Sequence, residues 1–161
     1  ELRSTMDTAT MKAELLGMMN VFDKPFAAKA MMFNFNIGFL DAVFDKVVFV
    51  HLKRDLEANI ESVLAARRRQ YGNEDEWYSF LVPEYDELVQ LGNRAQVKGQ
   101  IESMHRGISM ALGKVAPERQ LVVTYEEFCS DPGQIHDRLV ELLNLDPRPY
   151  TGVGKFTITR Q

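Results

Sequence analysis

Val47-Val48-Phe49-Val50-His51-Leu52, followed at once by Lys53-Arg54-Asp55, is the stretch that decides the fold. An unbroken run of β-branched and aromatic residues of this length suits a strand buried on both faces, as in a parallel sheet. The charged triplet stops the run abruptly. Asp55 is a good helix N-cap, and Leu56, Ile60, Val63 and Leu64 follow at helical spacing. Arg67-Arg68-Arg69 then closes the helix with cations at the negative end of its dipole, a solvated helix end by default, and Gly72 terminates it. Residues 47–71 therefore read as strand, tight turn, helix.

Upstream, Met11, Leu15, Met18, Met19 and Phe22 recur at helical spacing across Thr8 to Phe22, and Asp23-Lys24-Pro25 breaks the pattern. A Met-rich helix of this kind reads as core or as a subunit contact. Phe35 to Phe44 predicts a second short helix with Ile37, Leu40, Val43 and Phe44 inward. Downstream, Gly72 to Pro83 is a loop carrying Trp77, Tyr78 and Phe80, which either line an acceptor pocket or pack the loop onto the core. A short helix over Glu84 to Leu91 precedes a long one with Val97, Ile101, Met104, Ile108, Ala111 and Leu112 on one face, ended by Pro117. Leu121-Val122-Val123-Thr124-Tyr125 is a second strand. Asp131-Pro132 starts a last helix with Ile135, Leu139, Leu142 and Leu143 as its buried stripe, and residues 144–161 read as loop. Alternating strands and helices predict an α/β fold, a parallel sheet flanked by helices. Two strands alone do not make a stable sheet, so further strands are expected, either too weak to read or outside the chain.

Composition bounds the rest. The chain has 161 residues, with 45% hydrophobic and 26% charged, ordinary for one globular domain. Nineteen basic against 23 acidic residues leave a net charge of −4, which argues against general binding to nucleic acid or to a membrane surface. The single cysteine, Cys129, excludes an internal disulfide and a cysteine-based zinc cluster. It falls in a short turn with no histidine nearby in sequence, so a catalytic role is not expected. No apolar run reaches a membrane span, no signal peptide opens the chain, and a cytoplasmic protein is expected. Nucleophile-elbow, zinc-protease, Walker A and dinucleotide-binding motifs are absent from the sequence.

The chemistry concentrates at the end of the first strand. In open α/β sheets ligands bind beyond the carboxyl ends of the strands. Arg54 stands there, and the N–H groups of the helix that follows favour an anion. Ser62 lies about two turns past the cap, on the same side and roughly 10 Å along the axis. A guanidinium and a hydroxyl so placed can hold a phosphate, the Arg by a forked contact. The plain alternative pairs Arg54 with a surface carboxylate and leaves Ser62 facing water.

His51-Leu52-Lys53-Arg54-Asp55, with Ser62 eight residues after Arg54, resembles the 3′-phosphate-binding segment of sulfotransferases that use 3′-phosphoadenosine 5′-phosphosulfate. Arg67-Arg68-Arg69-Gln70-Tyr71-Gly72, Glu76-Trp77-Tyr78, and Pro83-Glu84-Tyr85 leading to Gln96-Val97-Lys98-Gly99-Gln100 are similar to a bacterial-type branch of that family. So are Val123-Thr124-Tyr125-Glu126-Glu127-Phe128, Asp131-Pro132 and the ending Leu142-Leu143-Asn144-Leu145. The likeness spans about Ala28 to Leu145. It implies that Arg54 and Ser62 bind the nucleotide's 3′-phosphate and that Tyr125 contacts the adenine. Read without it, Tyr125 is an aromatic capping the strand end. Thr157, Thr159 and Arg160 fall where the family brings a C-terminal loop over the nucleotide, although a frayed tail is the plainer reading.

Two departures from the family stand out. Its Gly-, Ser- and Thr-rich loop for the 5′-phosphosulfate has no counterpart before Phe33, and Arg3-Ser4-Thr5 is no substitute. The chain is therefore expected to be the later part of a domain, residues 1–161 forming one partial sulfotransferase domain. A general base is also unassigned. Lys29-Ala30-Met31-Met32-Phe33-Asn34 resembles a family stretch but holds no His or carboxylate, and Lys29 suits the surface. His51, inside a strand, reads as a core histidine, and His105 and His136 as surface or structural residues.

The resemblance implies a P-loop-NTPase-like sulfotransferase fold. It also implies transfer of a sulfuryl group to a hydroxyl or amine of a small-molecule, carbohydrate or peptide acceptor. No metal, nucleic acid or membrane is expected in that chemistry. The rival readings are a non-catalytic nucleotide-binding or assembly module, with the Met-rich helix as a homodimer contact, and a nucleotide kinase.

Overall fold

The computed structural model describes residues 6–29 and 31–158. Arg3-Ser4-Thr5, Thr159 and Arg160 lie outside the described residues. Helix α1 covers Thr8–Phe22, a 3₁₀ turn Met31–Phe33, and α2 Ile37–Val43. Strand β1 (Phe49–Lys53) leads into α3 (Leu56–Tyr71), α4 (Tyr85–Leu88) and α5 (Asn93–Leu112). A 3₁₀ turn at Pro117–Arg119 precedes β2 (Gln120–Thr124), α6 (Tyr125–Ser130) and α7 (Pro132–Leu142). Among the described residues β1 and β2 form a two-stranded parallel sheet, Phe49 opposite Gln120 and Lys53 opposite Thr124.

Helix ends follow the local chemistry. The Asp55 carboxylate accepts from the Ala58 N–H at 2.8 Å, and Gly72 takes φ 77°, the left-handed conformation that glycine adopts without steric cost. At the other end of the sheet, Thr124 and Glu127 form a reciprocal capping box that starts α6. The expected second strand therefore ends one residue early, and Tyr125 and Cys129 belong to a helix rather than to strand and turn.

Three apolar clusters hold these elements. Ile60 and Leu64 of α3 pack against Val97 and Ile101 of α5. Ile37, Leu112 and Val115 gather around Phe49 on one sheet face. On the other face Leu121 and Val123 meet Ile135, with Val48, Phe128, Leu139 and Leu142 around them. Phe39 is buried too, whereas the expected inward residues Leu40, Val43 and Phe44 are only half-buried.

The expectation of a strand covered on both faces is corrected. Val50 and Leu52 are each 47% exposed, and Val122 on the opposite face is 45% exposed. The reason is a diagonal arrangement: α5 covers β1 on one face, while α7 covers β2 on the other. The core reading of the first helix is corrected as well. None of its residues is buried, and Met18 and Phe22 are exposed. Met11, Leu15, Met18, Met19 and Phe22 share one stripe at about 100° per residue, but Leu16 and Val21 lie to either side of it, and no described element covers the stripe closely enough to bury it.

Arg67 gives the largest departure. It is not part of a solvated helix end but is fully buried (0% exposed). Its Nη1 donates to the Glu74 carbonyl at 2.8 Å and to Gln96 Oε1 at 3.1 Å, and its guanidinium carbon lies 5.8 Å from the centre of the Trp77 ring. Burial lowers its pKa below the ordinary guanidinium value. Arg68 faces water and pairs with Glu74. The loop after α3 is thus tied down by polar side chains. Gln96 Nε2 donates to the carbonyls of Val89 and Leu91, and Gln100 Nε2 to those of Tyr78 and Phe80. Trp77 donates to the Phe80 carbonyl and sits edge-on to Tyr85, so it packs the loop onto the core.

Candidate functional site

Parallel pairing brings the carboxyl ends of both strands side by side, Lys53 opposite Thr124. The next residue of each chain is Arg54 and Tyr125. The Arg54 guanidinium carbon lies 4.9 Å from the centre of the Tyr125 ring, within cation–π range. Both side chains are half-buried. Two candidates 71 positions apart, as 125 − 54, thus share one corner of the molecule. Ser62 is half-buried on α3, which begins beside that corner.

The N-terminus of α3 is less open to an anion than its position suggests. Asp55 already occupies the Ala58 N–H, and the first turn carries Glu57. Arg94, reaching from α5, pairs with both Glu57 and Glu61 and offsets that negative charge. Anion attraction at this corner therefore falls mainly to Arg54.

Tyr125 is tied to its own helix. Its phenol pKa is raised above the ordinary value, first by a hydrogen bond with the Cys129 thiol, against the opposing pull of Arg54. Cys129 itself is buried. The C-terminal segment returns to the same helix at Phe156. The Phe156 N–H donates to the Cys129 carbonyl at 2.8 Å, and the Phe156 ring stacks on Phe128 with centres 5.5 Å apart. Thr157 follows and is exposed.

The histidines divide. His51 is buried in β1, and its Nε2 lies 2.9 Å from His105 Nδ1 on α5. Burial, then His105 and Lys53, push the His51 pKa down to about 4, and burial lowers that of His105. His51 is thus a satisfied core histidine, and its partner comes from 54 residues away. Its pKa is lower in the folded than in the unfolded chain, so the unfolded state binds more protons between about 6.5 and 4. Stability is full above that window and falls as pH drops through it. Urea unfolding should show a loss of ~2 kcal/mol between pH 7 and pH 5, above the range where carboxylates titrate. Replacing both His51 and His105 by leucine should flatten that dependence. His136 pairs with Asp137 at the surface of α7, and Lys29 is exposed. Among the described residues no group of three or more His, Cys, Asp and Glu is placed to hold a metal ion. No helix there is long and apolar enough to cross a membrane.

The comparison with known sequences decides the family. A sequence model of the sulfotransferase family matches residues 3–149, nearly the whole chain. The chain belongs to the sulfotransferase family. The two strand ends, α3 with its cap and the α6 capping box all lie inside the matched region of this sulfotransferase chain. Among solved structures, a sulfotransferase domain from the curacin biosynthetic pathway superposes with a TM-score of 0.50 at 22% identity. The match covers 73% of this chain and 38% of that one, so this sulfotransferase chain overlaps well under half of the solved domain. The likeness shows the fold, α/β and P-loop-like with a parallel sheet flanked by helices. No curated protein matches the sequence.

Three features of this chain escaped the sequence reading. The Arg67 post and the His51–His105 pair carry no local signal. The short helix α6 had one, the Thr124-x-x-Glu127 spacing of a capping box.

Proposed function

We propose that the chain carries the nucleotide half of a sulfotransferase site for 3′-phosphoadenosine 5′-phosphosulfate, with Arg54 and Ser62 on the 3′-phosphate and Tyr125 against the adenine. The observation that supports this most is the convergence of Arg54 and Tyr125 at 4.9 Å beyond the carboxyl ends of parallel strands. A cation and an aromatic ring on one corner suit a ligand that combines a phosphate with a flat base. In the reaction an acceptor hydroxyl or amine attacks sulfur, and the bond from sulfur to the 5′-phosphate oxygen breaks. The acceptor loses a proton, and adenosine 3′,5′-bisphosphate leaves. The acceptor is of small-molecule, carbohydrate or peptide type, and residues 1–161 act as one partial domain.

Ser62→Ala tests the hydroxyl's role. Removal of one hydrogen bond to an ionised phosphate, about 1.5 kcal/mol at a half-buried site, should weaken adenosine 3′,5′-bisphosphate binding about tenfold. Binding of adenosine 5′-monophosphate should not change. Equal effects on both nucleotides would remove Ser62 from the site.

A second reading has one observation in its favour. Leu16, Val21 and Phe22 on α1 are exposed by 55%, 79% and 69%. A chain that pairs with a second copy through α1 and does not catalyse would account for that surface. Dimerisation in sedimentation, together with absent sulfuryl transfer from the complete domain, would favour this reading.

A further inference from the structure

We propose that Phe156 is a positioning residue for the nucleotide corner, acting on Tyr125 through helix α6. This rests on the nucleotide reading of Arg54 and Tyr125. Tyr125 and Cys129 are four residues apart, one turn of the same six-residue helix. A helix this short has little stability of its own and takes its placement from what packs on it. Three contacts hold it. The Thr124–Glu127 capping box fixes its start. Phe128 packs beside Leu121, Val123 and Ile135 on its inner side. The C-terminal segment closes its far end, the Phe156 N–H on the Cys129 carbonyl and the Phe156 ring lying at 14° to that of Phe128.

That segment is built rather than loose. The Tyr150 hydroxyl donates to the Val153 carbonyl at 2.9 Å, and the Tyr150 ring lies 5.5 Å from His136 on α7. A side chain at Gly152 would meet the outer end of the Tyr150 side chain at 2.4–2.8 Å, so glycine leaves room for the Tyr150 phenol to lie against the segment. Tyr150 thus anchors the segment on α7 and Phe156 anchors it on α6. From Phe156 the contacts run to the Cys129 carbonyl and the Phe128 ring, along α6 to Tyr125, and from the Tyr125 ring to the Arg54 guanidinium. Removing the Phe156 ring lets the last turn of α6 shift, and with it the ring on which the guanidinium rests.

The test uses the 161-residue chain with Phe156→Ala and Phe156→Tyr, the latter keeping the stacked ring. Titration calorimetry reads the affinity for adenosine 3′,5′-bisphosphate. Ultraviolet difference absorbance reads ionisation of the Tyr125 phenol, with Tyr125→Phe as the subtraction reference. Phe156→Ala should weaken binding about tenfold and move the Tyr125 titration toward the ordinary phenol value, while Phe156→Tyr restores both. Phe156 is 37% exposed, so the ring can be removed without emptying the core, and an unchanged melting temperature checks this. Either readout at its wild-type value in Phe156→Ala overturns the role of Phe156. A wild-type chain with no preference for the 3′-phosphorylated nucleotide overturns instead the reading of the corner on which it rests.

Discussion

Arg67→Ala is expected to lower the unfolding free energy by about 3 kcal/mol or more, the largest stability effect of any single substitution considered for this chain. The side chain is fully buried, so truncation leaves a cavity between α3, α5 and the loop after α3. It also strips the Glu74 carbonyl and Gln96 Oε1 of a charged donor. The Trp77 ring loses its cation. Arg67→Met should cost clearly less. It keeps most of the volume and removes the desolvation penalty of a buried charge, whose Nε and Nη2 find no hydrogen-bond partner among the described residues. Urea denaturation of the two variants, read at equal slope, separates these contributions. If Ala and Met cost the same, the hydrogen bonds dominate; if neither costs anything, the post does not hold the loop.

Arg54→Ala is expected to have the largest effect on ligand binding. A forked, charge-assisted contact to a phosphate contributes about 1.5–3 kcal/mol, so affinity for adenosine 3′,5′-bisphosphate should fall roughly 10- to 100-fold. Arg54→Lys should recover only part of this, because an ammonium supplies charge but not the fork. Adenosine 5′-monophosphate should bind the variant and the wild type alike. Stability should change little, since Arg54 is half-buried at the rim of the sheet. Its stacking on Tyr125 means that Tyr125→Phe, which keeps the ring, should preserve most of the affinity.

How much of this was legible in the sequence depends on range. The strand at Phe49–Lys53, the Asp55 cap, the Gly72 stop and α7 after Asp131 are set by residues within a few positions of one another. Such local signals survive folding. The parallel pairing also followed, because strands separated by long helices need a crossover connection. What failed depends on contacts across the chain. Arg67 reads as a surface cation until Gln96, Trp77 and the Glu74 carbonyl close over it. Nothing near His51 announces His105. The open faces of Val50, Leu52 and Val122 follow from where α5 and α7 lie, not from the composition of the strands. The docked tail was hidden by its Pro- and Gly-rich composition, which carries no periodicity, although Tyr150 and Phe156 supply its anchors.

The candidate site was legible as residues and not as geometry. Arg54 and Tyr125 were singled out separately, and only the register of β1 against β2 brings them into contact. The measurement that bears most directly on the account is calorimetric titration of the wild-type chain with adenosine 3′,5′-bisphosphate and, in parallel, with adenosine 5′-monophosphate. The account predicts clear preference for the 3′-phosphorylated nucleotide. Equal binding of the two, or binding of neither, would contradict the assignment of this corner to the 3′-phosphate.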